Sequence, residues 1–207
     1  SDVYKEQDKK AQDKMAVWQR VAVAWEDAQD MLLIRLGDQM NNVAVTDGDK
    51  VEAEMRLGYH VDFYNIATLR DYQKDVTDAE INALLDTYKK EYEIAAGAWE
   101  NAHFAQQVRH AAVVEIALRR LLKETGAKAF TTHFDNLDGI DQLPGLASQR
   151  LMADGYGFGA EGDWKTAALC RTIYVMSQGM QKGCSFLEDY QLNFDGEHSA
   201  ALQSTLL

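Results

Sequence analysis

The run Met31-Leu32-Leu33-Ile34-Arg35-Leu36, closed by Gly37, constrains the fold more than any other stretch. A short, continuous apolar run ended by glycine is the pattern of a strand buried on both faces. Such strands belong to parallel sheets covered by helices. What surrounds the run agrees. Lys9 to Trp25 has helical spacing, with Met15, Trp18, Val21, Ala22 and Trp25 on one stripe, and these aromatics are expected to pack. After the strand, Asp47-Gly48 makes a turn and a short helix follows, closed by Gly58. His60 to Ile66 alternates apolar and polar residues and reads as a second strand.

Further along, Thr77-Asp78-Ala79-Glu80 has the form of a capping box, in which the Thr hydroxyl and the Glu carboxylate satisfy each other's helix-end amides. The helix it opens runs to about Glu93. A longer helix runs from about Glu100 to Thr125 and stops at Gly126, with Phe104, Val108, Ala112, Leu118 and Leu122 on its apolar stripe. Ala127 to Phe134 is the next strand, and Pro144 stands in the first turn of another helix, where its missing N–H costs nothing. YGFGAEGDW is a strand and loop, KTAALCRTIYVMSQGM a helix, and CSFLEDYQLNF strand-like. This order predicts an α/β fold: a Rossmann-like, mostly parallel sheet flanked by helices, with a short β-rich C-terminal extension. Ligands of such sheets gather beyond the carboxyl ends of the strands.

Charge narrows the function. With 33 acidic against 21 basic side chains the net charge is −12, and there is no basic tract. Nucleic acid binding rests on neutralising phosphates, so it is not expected. The acidic balance fits a neutral or cationic ligand, and equally fits solubility alone. No apolar run approaches a membrane span, and SDVYKEQDKK has no apolar segment of a secretory signal; it reads as a polar approach to a helix from mid-protein. Cys170 and Cys184 match no metal-binding spacing and are expected to be reduced thiols in a cytoplasmic protein.

Two acidic sites stand out. Gly155, Gly157, Gly159 and Gly162 crowd around Glu161, as in a loop shaped to present a carboxylate; a plain turn explains the spacing equally well. Glu188 sits beside Asp189 in a strand-like segment, where an edge residue in water is the simpler reading. One helix separates Glu161 from Glu188, so both can emerge at the same end of neighbouring strands and share a hard divalent cation such as Mn²⁺ or Mg²⁺. Such a pair can also move protons on a polyol. Two glutamates alone would also serve a glycosidase, which needs no metal. Among the histidines, His103 and His110 read as surface residues, His60 carries no signal, and His133 adjoins Phe134 at a strand end where it can approach a pocket. Trp99 reads as packing, and Trp164 as a support for the Glu161 loop.

Three segments, RLGDQMNNVAVTDGDKVEAEMRLG, AFTTHFDNLDGIDQLPGLASQRLMADGYGFGAEGDWKTAAL and GCSFLEDY, together resemble L-arabinose isomerases, from about Trp18 to Leu207. The resemblance implies that residues 1–182 are the central α/β domain and 183–207 the start of a truncated C-terminal domain. It implies that Glu161 and Glu188 bind Mn²⁺ and act in catalysis, and that Met40 and Phe134 line the sugar pocket. The implied reaction interconverts L-arabinose and L-ribulose through an ene-diol, and in some members D-galactose and D-tagatose. It further implies a homo-oligomer. One departure stands out: Thr205 occupies the position where the family has a histidine ligand, and a second histidine lies beyond Leu207. The expectation is an isomerase segment with an incomplete metal site and little activity alone. The alternative is a non-catalytic module with a structural or oligomerisation role.

Overall fold

The computed structural model describes residues 8–181, 184, 186–193 and 200–206, the last two segments by backbone only. Four parallel strands form the central sheet: β1 (Leu32–Leu36), β2 (His60–Tyr64), β3 (Ala129–Thr131) and β4 (Gly157–Gly159). Their order is β2-β1-β3-β4. The chain leaves β1 toward one edge and returns past it to build the other half. The neighbours β1 and β3 therefore send their following connections in opposite directions, which opens a crevice beyond their carboxyl ends. This is the predicted α/β, Rossmann-like architecture.

Helices cover both faces. On one, Ile34, Leu36, Phe130 and Phe158 of the sheet pack against α3 (Ile66–Lys74), α5 (Ala102–Thr125) and α6 (Gly145–Ala153), with the Phe130 and Phe158 ring centroids 5.2 Å apart. On the other, Met31, Leu33 and Ala129 meet α2 (Lys50–Leu57) and α7 (Trp164–Ser177) through Ala53, Trp164, Ala167 and Ala168. Successive β1 side chains thus enter different cores, which is why its sequence shows no alternation. Outside α5 lies α4 (Asp78–Glu91), whose Thr77–Glu80 capping box forms as predicted. Glu115 ties this layer together. It is fully buried and accepts from Tyr88 Oη at 2.6 Å, Arg119 Nε at 2.8 Å and Arg150 Nε at 3.0 Å. β5 (Phe186–Asn193) and β6 (Ala200–Leu206) form a separate antiparallel pair, the β-rich C-terminal part.

Several boundaries differ from the sequence reading. Asn65 caps α3 through its side chain to the Ala67 amide, so β2 stops at Tyr64 and Ile66 begins a helix. β3 ends at Thr131 because the chain turns, with the Asn136 amide donating to the His133 carbonyl. The first helix, α1 (Lys9–Ala28), is longer than predicted and buries a different face. Its buried residues are Ala24 and Ala28, while Trp18 is 75 % and Trp25 51 % exposed. Small residues let α1 lie close to α7, and the large stripe turns outward. The expectation that Trp18 and Trp25 pack is corrected accordingly. No helix among the described residues is long and apolar enough to cross a membrane.

Candidate functional site

A cavity of about 520 Å³ opens beyond the carboxyl ends of β3 and β4. Thr132 and Phe134 line it from the end of β3, Ala160 and Glu161 from the end of β4, and Ser148, Gln149 and Met152 from α6. Glu161 and Phe134, which the family resemblance gives to catalysis and to the sugar pocket, thus line the same cavity.

Glu161 holds a left-handed backbone, φ 62°. Only Asp30 among the other described non-glycine residues has positive φ. That conformation costs an L-residue roughly 1–2 kcal/mol, and such outliers cluster at functional sites. Three hydrogen bonds fix the loop. The Met40 amide donates to the Glu161 carbonyl at 3.2 Å, the Gly162 amide to the Thr132 carbonyl at 2.9 Å, and the Asp163 amide to the Ala160 carbonyl at 2.9 Å. Met40 therefore reaches Glu161 through its backbone.

The glycines have separate reasons. A Cβ at Gly157 would meet the Ala167 carbonyl oxygen at 2.1 Å, and one at Gly159 the Asp163 carbonyl oxygen at 2.3 Å. These two let α7 lie against β4. Gly162 combines φ 77° with close approach to Asp38 and Gln39. Gly157, Gly159 and Gly162 thus let α7 and the β1 loop pack closely around Glu161.

The loop after β1 is braced from below. Arg35, buried at the end of β1, pairs through Nη2 with Asp38 at 3.0 Å and through Nη1 with Asp47 at 3.7 Å. Trp164 is fully buried, edge-on to Tyr59, and its indole N–H donates to the Asp47 carbonyl. Lys165 Nζ donates to the Val45 carbonyl at 2.6 Å. Asp163 caps α7 by accepting from the Lys165 and Thr166 amides at 3.0 and 3.2 Å. In EGDW, then, one residue faces the cavity, one permits the turn, one caps the helix and one braces the neighbouring loop.

The remaining candidates separate. His133 is buried, and its Nδ1 accepts the Asp135 amide at 3.1 Å; the cavity is lined by its neighbours Thr132 and Phe134 instead. His110 is half-buried and faces Asp141 at 3.5 Å, while His103 is exposed. Trp99 packs edge-on against Phe104. Cys170 and Cys184 are free thiols, and burial pushes Cys170 up to about 11. The Glu188 side chain lies outside the described residues. Its backbone pairs with Ser204, and Leu187 pairs with Thr205. Sequence reasoning missed Ser148, Gln149 and Met152; their position on α6, facing the strand ends, was the only available signal.

Among the described residues no three of His, Cys, Asp and Glu come together as metal ligands. Glu161 offers one oxygen donor in the cavity, a donor type suited to a hard cation. A closed cage needs donors beyond the described side chains.

The sequence family described as L-arabinose isomerase central domain matches residues 32–179, the span that contains the sheet, the cavity and Glu161. The chain belongs to this family. An L-arabinose isomerase of Phocaeicola vulgatus is 61 % identical over 206 residues, 97 % of this chain and 40 % of that protein. One from Bacteroides thetaiotaomicron is 61 % identical over 94 % of this chain and 39 % of its own length. One from Herpetosiphon aurantiacus is 47 % identical over 97 % of this chain and 40 % of its own. The chain therefore spans about 40 % of the length of these L-arabinose isomerase relatives.

Proposed function

We propose that this chain is the sugar-isomerising core segment of an L-arabinose isomerase, with Glu161 as a proton carrier. The observation that supports this most is Glu161 itself: a carboxylate held in a left-handed backbone, in a cavity it shares with Phe134. In the proposed reaction a carboxylate removes the C2 proton of the aldose while O1 gains a proton, giving an ene-diol. The proton then goes to C1 and O2–H is lost, leaving the 2-ketose with unchanged composition. L-arabinose and L-ribulose are the proposed pair, with D-galactose and D-tagatose as a second. Aromatic and apolar walls at Phe134, Phe158 and Met152 would shield the ene-diol from water.

Glu161 and Glu188 would hold a divalent ion such as Mn²⁺, which supplies Lewis acidity toward the sugar oxygens. The family resemblance expects a further histidine ligand where Thr205 stands. With Thr205 there, the ion has fewer ligands and binds weakly. Accordingly the chain alone turns over little or no L-arabinose; the complete site belongs to a longer, self-associating protein.

Calorimetric titration with Mn²⁺ tests this reading. A binding signal in the chain that disappears in Glu161→Gln supports it. Silence in both favours a non-catalytic module. Steady L-arabinose turnover by the chain with Mn²⁺ would contradict the claim of incompleteness.

A further inference from the structure

α1 buries only Ala24 and Ala28, and its large apolar side chains turn outward. Trp18 stands 75 % exposed, and Met15, Val21 and Trp25 of the same stripe are exposed as well. Beside them a groove of about 310 Å³ runs between α1 and α7, lined by Val21, Trp25, Leu57, Leu169 and Met176. Leu169 and Ile173 continue the exposed apolar surface along α7. A contiguous patch of this kind marks an interaction surface. Its knob and its groove share one helix: Trp18 and Trp25 are two turns apart, about 10 Å along α1. Ala22, small and exposed, lies between them. Charge is sorted along the same helix. Lys9, Lys10, Lys14 and Arg20 precede its last two turns, against Asp13 alone; Glu26 and Asp27 close it, and Asp30 follows.

We propose that this face joins two copies of the chain about a two-fold axis at Ala22, with α1 antiparallel to its mate and each Trp18 seated in the other copy's groove. A two-fold contact needs a knob and its hole at matching distances on either side of the axis. Trp18 lies one turn before Ala22, and Trp25, on the wall of the groove, one turn after it. The small Ala22 side chain lets the two helices approach where they cross. Running antiparallel, the basic start of each α1 meets the acidic end of the other. Lys14, one turn before Trp18, then comes to the end of the facing helix, where Asp30 is 98 % exposed. A parallel pair would set like charges against each other. A different partner would have to bring both an aromatic knob and the opposite charge gradient; a second copy already carries both. α1 and α7 side by side present about 500 Å² per copy and about 1,000 Å² in the pair, the weak end of specific interfaces. The pair therefore separates on dilution, and Trp18 is open to water in the single chain. Nothing in this pairing depends on the sugar reading.

Sedimentation equilibrium of the chain tests this. The expected result is a monomer–dimer equilibrium with a dissociation constant on the order of 10 µM, followed from well below to well above that value. Trp18→Ala should weaken it about tenfold or more, as the loss of a central aromatic anchor does. Because Trp18 is exposed in the single chain, the variant keeps the monomer fold, which far-ultraviolet dichroism checks. Lys14→Glu should weaken the pair severalfold, and added salt should weaken the parent. Leu143→Ser, an exposed apolar residue across the sheet, should leave association unchanged. A monomer at every concentration would overturn the pairing and leave the face to another part of the longer protein. Dimers indifferent to Trp18→Ala, or weakened as much by Leu143→Ser, would overturn the surface. Assemblies that grow beyond two copies would overturn the closed two-fold arrangement.

Discussion

The amide of Met40 donates to the carbonyl of Glu161 across 3.2 Å, although β3 lies between the strands that carry them. The loops after β1 and β4 therefore reach over the end of β3 and close on each other. The Gly162 amide adds β3 itself through Thr132. Whatever binds beside Glu161 meets a surface assembled from three strand ends, joined by backbone bonds and braced from below by Arg35, Trp164 and Lys165.

The left-handed backbone at Glu161 gives a clean stability comparison. Glu161→Gly and Glu161→Ala both delete the carboxylate, but only glycine accepts φ 62° without strain. Glu161→Gly should be the more stable of the two by about 1 kcal/mol in urea unfolding. Equal stabilities would mean the loop relaxes to an ordinary conformation.

Trp164 braces the β1 loop through one indole hydrogen bond and a large buried surface. Trp164→Phe keeps much of the surface and removes the donor to Asp47. Together with the cavity left by the smaller ring, the cost should be roughly 1–3 kcal/mol by thermal or denaturant unfolding. Amide exchange across residues 38–48 should speed up relative to α5, because the loop loses its anchor.

Asp27 links α1 to the sheet and to α7. Arg171 Nε and Nη2 lie 2.8 and 2.9 Å from its carboxylate oxygens, and Lys128 Nζ 2.9 Å. The Arg171 hydrogen bond, with Lys128 adding to it, holds the carboxyl at about 2 from an ordinary 3.8, against burial, which pushes it up. A folded value below the unfolded one means stability is present above about pH 4 and is lost as pH falls through about 2. The linked stability is on the order of 2 kcal/mol, reduced by partial contact with water. Unfolding followed against pH should show Asp27→Asn less stable than the parent at pH 7, with the difference shrinking across that acid window.

The four tryptophans should also separate by environment. Trp18 is 75 % exposed and Trp164 about 1 %. Acrylamide should quench a large, red-shifted part of the fluorescence, and Trp18→Phe should remove much of that part. A blue, protected signal from Trp18 would show that its outward stripe is covered in solution.

Sequence carried the sheet well because its signals were local. The apolar run at Leu32–Leu36, the Thr77–Glu80 box and the glycines at 58 and 126 each fix one element by its own chemistry. Periodicity in α1 showed apolar positions but not which neighbour covers them, so Trp18 and Trp25 were read inward while Ala24 and Ala28 took that place. Ile66 looked like a strand residue because Asn65 was not recognised as a cap. The family resemblance singles out Glu161 and Phe134, and both line the cavity, whereas nothing in the sequence points to the α6 wall.

Mn²⁺ is paramagnetic and broadens the amide signals nearest to it, which makes it a direct probe of the central claim that Glu161 and Glu188 share one ion. Titrated into the labelled chain, it should broaden the amides of Glu161, Gly162, Met40 and Glu188 together, and Glu161→Gln should abolish the effect at all four. Broadening at Glu188 that persists in Glu161→Gln, or broadening confined to acidic residues elsewhere, would contradict the account.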